Sequence, residues 1–173
     1  MKKLIAALAA LTMVFAAMMT VLAEEDVPTF ADGVQFNMDQ AQVQKLVNLP
    51  GGETDTEYRG TTKFLELEYE HVRTEDGFVA DIKYLFVDDS LVAIRIDMED
   101  GTGYDSVKDV LTRAYGETVP FDAAKIGNAK FIIDDDGDLK DCREMIQANG
   151  VTIVLERDHD GDVEITFFDP AAV

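Results

Sequence analysis

The sequence predicts an α+β domain, an antiparallel β-meander sheet with helices packed on one face. Between Lys63 and Met98 apolar residues recur with period two in three successive runs. On either side of that block, after Asp39 and again from Thr102 to Tyr115, the spacing becomes that of an amphipathic helix. No alternation of strand and helix calls for a parallel sheet.

Taken in order, Asp39 stands before Gln40-Ala41-Gln42 with Val43, Leu46 and Val47 following, so Asp39 caps a short helix and Gln42 completes a capping box. Pro50-Gly51-Gly52 ends it. The first alternating run holds Leu65, Leu67 and Tyr69; the second Phe78, Ala80, Ile82, Tyr84 and Phe86; the third Val92, Ile94, Ile96 and Met98. Thr74-Glu75-Asp76-Gly77 and Asp88-Asp89-Ser90 between them carry hairpin turn chemistry. In the next helix Tyr104, Val107, Leu111 and Ala114 form one stripe, Gly116 suits a left-handed C-cap and Pro120 forbids continuation. An apolar run at Phe131 to Ile133 precedes a third expected helix from about Asp138 to Ala148, closed by Asn149-Gly150. A final hairpin sets Val151, Ile153 and Leu155 beside Val163, Ile165 and Phe167.

At the N-terminus, Lys2 and Lys3 precede an uncharged run from Leu4 to Ala23 that ends in Val21-Leu22-Ala23, and Glu24, Glu25 and Asp26 follow. This is the pattern of a secretory signal peptide over residues 1–23 with small residues at its cleavage site; the alternative is a retained signal anchor. Residues 24–173 then form one secreted or extracytoplasmic α+β domain without stable membrane insertion, divisible into halves at 33–100 and 101–170. Cys142 is the only cysteine, so no intramolecular disulfide forms and stability rests on packing. Its place among Leu139, Met145 and Ile146 at helical spacing suits a small buried hydrophobe.

The chain has 35 acidic against 15 basic residues, a net charge of -20. That field repels nucleic acid and anionic lipid and favours cations or proteins with a basic patch. A hydrophobic fraction of 47% supplies enough apolar surface for a folded core despite the charge.

Gly33, Phe36, Met38, Asp39, Val43, Leu46 and the Leu49-Pro50 step, with Tyr84-x-Phe86-x-Asp88-Asp89-x-Leu91-Val92, carry a family likeness. Over roughly residues 33–98 the chain resembles the small-protein-A/outer-membrane-lipoprotein-A domains, the BamE-like group. The resemblance implies a helix-plus-meander unit of the kind that β-lactamase-inhibitory proteins use twice in tandem. A second copy from Thr102 to Asp169 would set Val107, Leu111, Gly116 and Pro120 where Val43, Leu46 and Pro50 stood. Asn37 departs from the glycine these domains often have, and the lipid-attachment cysteine is missing. Neither a role in barrel assembly nor a set of inhibitor contact residues carries over.

Catalytic motifs are absent from the sequence. His71 and His159 sit in no motif with a Ser or Cys nucleophile, and Gly51-Gly52 lacks the Lys-Ser/Thr of a phosphate loop. The expectation is a protein that is not an enzyme and needs no cofactor. Asp134, Asp136 and Asp138 around Gly137, and Asp158, Asp160 and Asp162 around Gly161, resemble calcium loops. With each glycine at loop position six, position twelve falls on Arg143 and on Phe167, neither of them the closing Glu. Turn chemistry is the simpler reading, and weak Ca²⁺ binding is the alternative function.

If the alternation holds, Glu66, Glu68 and Glu70 line the outer face of one strand, Asp81 and Lys83 the next, and Arg95 and Asp97 the third. These seven residues form the expected binding surface of a non-enzymatic interaction module, its partner a protein with a basic patch. The simpler alternative is a solvated face whose charges relieve one another. Tyr58 and Phe64 are either aromatic anchors at its edge or core residues.

Overall fold

The structure is a computed structural model that describes residues 33–73, 79–98, 103–126, 140–148 and 150–170, with 140 and 141 as backbone only. The elements are α1 (Gln40–Val47), β1 (Glu53–Arg59), β2 (Thr62–Arg73), β3 (Val79–Val87), β4 (Ser90–Met98), α2 (Tyr104–Tyr115), β5 (Val119–Pro120), a 3-10 turn (Ala123–Lys125), β6 (Lys140–Ala148), β7 (Val151–Asp158) and β8 (Val163–Phe168). Among the described residues the strands form one antiparallel sheet in the order β1-β2-β3-β4-β8-β7-β6-β5. The two halves of the chain therefore share one sheet, joined where β4 pairs with β8.

The local signals act as the sequence leads one to expect around α1. The Asp39 carboxylate accepts from the Gln42 N–H at 2.8 Å and the Gln42 side chain accepts from the Asp39 N–H at 2.9 Å, the reciprocal capping box. Asn48 ends the helix in the left-handed conformation. Asn37, at φ +69°, turns the chain so that Asn37 N–H donates to the Leu91 carbonyl and Leu91 N–H donates to that of Met38, which pins the lead-in to the start of β4. Val43 and Val47 are buried, but Leu46 is exposed, a departure from the expected apolar stripe.

Both helices pack on one face. The main core joins Val43 and Val47 of α1 and Tyr104, Val107, Val110 and Leu111 of α2 to Leu67, Phe86, Ile94, Ile153, Leu155, Ile165 and Phe167 from the strands. In α2, Ala114 is exposed, a departure from the expected stripe, and Val110 takes the buried place. Gly116 has φ +107° and ψ -178°, so the helix ends through glycine's freedom but not in the left-handed cap expected. Ile153 lies across from Phe167 and Leu155 from Ile165, the expected hairpin facing.

Two elements correct the expectations. The helix expected over about Asp138 to Ala148 is strand β6, paired with β7 along its length. Ile146 joins the main core, while its neighbour Met145 joins a second cluster on the opposite face with Val92, Ala93, Ile126, Val154 and Phe168. In β6 the apolar residues Cys142, Met145 and Ile146 stand three and four apart with half-buried Arg143 and Glu144 between them, so they break period two and imitate helical spacing. The sequence reading also missed β1, whose seven residues are all exposed. Glu-Thr-Asp-Thr-Glu has no apolar alternation, and backbone pairing to β2 holds it as an edge strand. The turn at residues 74–77, the run at 131–133, the loop at 134–138 and the segment 1–23 lie outside the described residues. Among the described residues no helix is long and apolar enough to cross a membrane.

Candidate functional site

The sheet face away from the helices divides into a covered and an open part. Over β6, β7 and β8, Phe121 and Ile126 from the chain after β5 pack onto Met145, Val154 and Phe168. This corrects the expectation of a wholly open charged face. Arg95 is only 5% exposed and its Nε lies 3.2 Å from Glu164, so it is a structural cation and not a contact for a partner. Across β7 and β6, Arg143 pairs with Glu156, which is 1% exposed, and its guanidinium stacks 4.8 Å from the Phe121 ring centroid. Glu156 is buried and Arg143 half-buried, and the arginine answers the desolvation of the carboxylate.

Over β2, β3 and β4 the expected residues do come together. Strand register sets Glu68 across from Lys83 and Lys83 across from Arg95, with Asp81 across from Asp97 in the adjoining rank. The Lys83 ammonium stands 3.4 Å from Glu68 and 3.2 Å from Asp97. Burial works against its charge, but Asp97 and Glu68, helped by Glu66, outweigh it and lift the Lys83 pKa above its ordinary value. Glu66, Glu68, Asp81, Lys83 and Asp97 are all half-buried on this face.

Glu70 does not join them in register. The ladder shifts between Tyr69 and Val72, leaving Glu70 and His71 in a bulge, with His71 at φ +55°. His71, and not Glu70, reaches Asp81: its N–H donates to the Asp81 carboxylate at 2.7 Å and its Nδ1 lies 3.7 Å from the same oxygen.

At the β1 end, this face holds a cleft of about 200 Å³ that sequence reasoning missed. Phe64, Leu85, Val87 and Val92 contribute its apolar lining, and Asp55, Glu57, Glu66 and Arg59 its charged groups. Arg59 pairs with Glu57 at 2.9 Å and stacks 5.0 Å from the Phe64 ring centroid. Phe64 thus lies on the helix-free face, in the lining of the cleft. Tyr58, 66% exposed, falls in register with Lys63 on the other side of the sheet. The signal that would have found the cleft is the acid-Thr-acid-Thr-acid alternation of 53–57, which places three carboxylates on one side of a strand.

Of the acidic loops, the Asp158 carboxylate accepts from the N–H groups of Asp160, Gly161 and Asp162 at 2.8–3.0 Å, so it organises the turn into β8. Among the described residues no three His, Cys, Asp or Glu side chains group as metal ligands. His159 is exposed beside Asp160, at 3.5 Å.

A second polar cluster lies on the helix side, at β6. Glu144 accepts from Lys108 at 2.7 Å, from the Tyr104 hydroxyl at 2.8 Å and from Thr118 at 3.2 Å, and the Cys142 thiol donates to the Tyr104 oxygen at 3.3 Å. Burial alone would raise the Glu144 pKa; Lys108 and Tyr104 overcome it and hold the carboxyl below its ordinary value. Burial, with the Cys142 and Glu144 hydrogen bonds, pushes the Tyr104 phenol well above its own. Cys142 is half-buried on a strand, and the cluster ties α2 to β6.

Compared with models of protein families, with curated proteins and with solved structures, the chain matches none.

Proposed function

We propose that this is an exported, non-enzymatic module that binds another protein through the open part of its helix-free sheet face. The observation that carries the reading is the ladder of half-buried carboxylates over β2, β3 and β4, held in place by Lys83 beside an amphipathic cleft. Fixed charges next to a cleft with half-buried apolar lining make a face that steers a partner and then buries area against it. Surface ion pairs of this kind add at most about 1 kcal/mol each to stability, so folding gives a weak reason for assembling them.

Export rests on the Lys2-Lys3, Leu4-to-Ala23 and Val21-Leu22-Ala23 pattern. The order helix then four strands occurs twice, mirrored about the β4–β8 pair. That supports a reading of the halves as tandem units and fits the helix-plus-meander resemblance.

The test is affinity capture of the tagged protein from its host's envelope and secreted fractions, beside a Glu66→Gln, Glu68→Gln, Asp97→Asn variant. A protein held by the wild type, lost by the variant and released as salt rises supports the reading. Equal retention by both forms overturns it.

A further inference from the structure

We infer that the cleft over β2, at the β1 edge of the sheet, receives one long basic side chain, Lys or Arg, of a partner protein. This inference rests on the docking-face reading and specifies the partner's chemistry.

Size is the first argument. A cleft of about 200 Å³ is smaller than the ~300–1,000 Å³ typical of small-molecule sites. It suits a single side chain presented by a larger partner, which the neighbouring carboxylate ladder can orient.

Charge is the second. Three carboxylates, Asp55, Glu57 and Glu66, line the cleft against one guanidinium, and Glu53 and Glu68 pair across the strands next to them. The lining is amphipathic, with acids set around Phe64, Leu85 and Val87, which matches an aliphatic stem that ends in a cation.

The chain already carries such a group there. Arg59 lies over the Phe64 ring at 5.0 Å while its Nε and Nη2 both reach the Glu57 carboxylate, at 3.1 and 2.9 Å. A cation stacked on Phe64 and paired with Glu57 is therefore a geometry the cleft accommodates, and Arg59 holds it as an internal competitor. Both Arg59 and Glu57 are about half exposed, 48% and 58%, so exchange for a partner's cation costs little.

The mode of contact follows from β1 itself. The Asp55 carboxylate accepts from the Thr56 N–H at 2.8 Å, so one backbone donor of this edge strand is already taken. Acidic side chains at Glu53, Asp55 and Glu57 further discourage simple strand addition. Recognition then falls to side chains in the cleft.

The test is a positional-scanning library of labelled heptapeptides titrated against the whole protein, with an arginine-to-citrulline exchange to remove charge at constant shape. The expected result is a preference for Arg or Lys at one position, lost on citrulline exchange and at least tenfold weaker in Glu57→Gln with Glu66→Gln and in Phe64→Leu. Arg59→Gln is expected to tighten binding by up to about fivefold, the release of one exposed ion pair. Lys45→Gln, the same charge change at an exposed position on α1, is expected to change it little. No basic preference, binding indifferent to Phe64 and Glu57, or equal gains from Arg59→Gln and Lys45→Gln would each overturn the inference. If the captured host protein still depends on Glu68 and Asp97 in that case, the docking-face reading survives and only the cleft assignment fails.

Discussion

Glu156 on β7 lies directly across from Glu164 on β8, and each carboxylate is met by an arginine, Arg143 and Arg95 respectively. Like charges paired across a ladder repel, so the four residues hold together only as a set. The sheet face is balanced electrically where the chain covers it, and carries its acidic excess where it is open.

Removing one member of the set exposes that dependence. Arg143→Met leaves Glu156 buried without its arginine and is expected to cost about 3 kcal/mol in urea unfolding. Arg143→Met with Glu156→Met is expected to recover most of that loss. A double variant as unstable as the single one would contradict the account.

Glu144 gives a pH prediction. Its folded pKa lies below the ordinary 4.5, so its contribution is fully present above pH 4.5 and disappears as pH falls through the lower, folded value. Glu144→Gln is expected to lose about 1–2 kcal/mol at neutral pH. In thermal melts the gap between the two proteins should close as the pH is taken below 4.5. A gap that widens in acid would show the sign to be wrong.

Gly52 is held by a close approach. A Cβ there would lie 2.7 and 2.9 Å from carbons of the Tyr69 ring, which is buried and meets Tyr84 edge-on. Gly52→Ala is therefore expected to destabilise by about 1–3 kcal/mol through overpacking. At Gly51 the space is open but φ is +82°, so Gly51→Ala should cost about 1 kcal/mol from the backbone alone. Pairing each with Tyr69→Leu separates the causes, since only the Gly52 penalty should shrink.

The β7–β8 turn discriminates between turn and cation chemistry. Asp158→Asn keeps an acceptor for the three N–H groups and is expected to fold as the wild type does, while Asp158→Ala loses about 1–2 kcal/mol. Added Ca²⁺ is expected to leave the melting temperature of each protein, wild type included, unchanged. A Ca²⁺-dependent rise confined to the wild type, abolished by Asp158→Asn with Asp160→Asn, would favour the cation-binding alternative.

The sequence is legible where apolar residues keep one period along an element, whether its second face is partly wet, as in β2 and β3, or buried, as in β4, β7 and β8. Asp39 with Gln42, the runs through Tyr69, Tyr84 and Ile96, and the Ile153–Phe167 facing all follow from such local signals, with Val92 leaving its run for the opposite face at the β3–β4 bulge. Legibility fails at β6, where the polar residues Arg143, Glu144 and Gln147 interrupt the apolar ones, and at β1, where neither face is buried. The candidate face divides in the same way. Glu66, Glu68, Asp81, Lys83 and Asp97 fall together because alternation fixes sidedness, but the bulge that displaces Glu70 and the packing of Phe121 and Ile126 across the sheet are tertiary events. Local periodicity carries no record of them.

The most direct test of the docking face is site-specific photo-crosslinking in the native host, with the crosslinking residue placed in turn at Glu66 and Glu68 on the open face and at Lys45 and Arg113 on the helix side. Crosslinks to one protein from Glu66 and Glu68, weakened by salt and absent from Lys45 and Arg113, are the predicted result. Crosslinks from the helix side alone, or none from the sheet face, would contradict it.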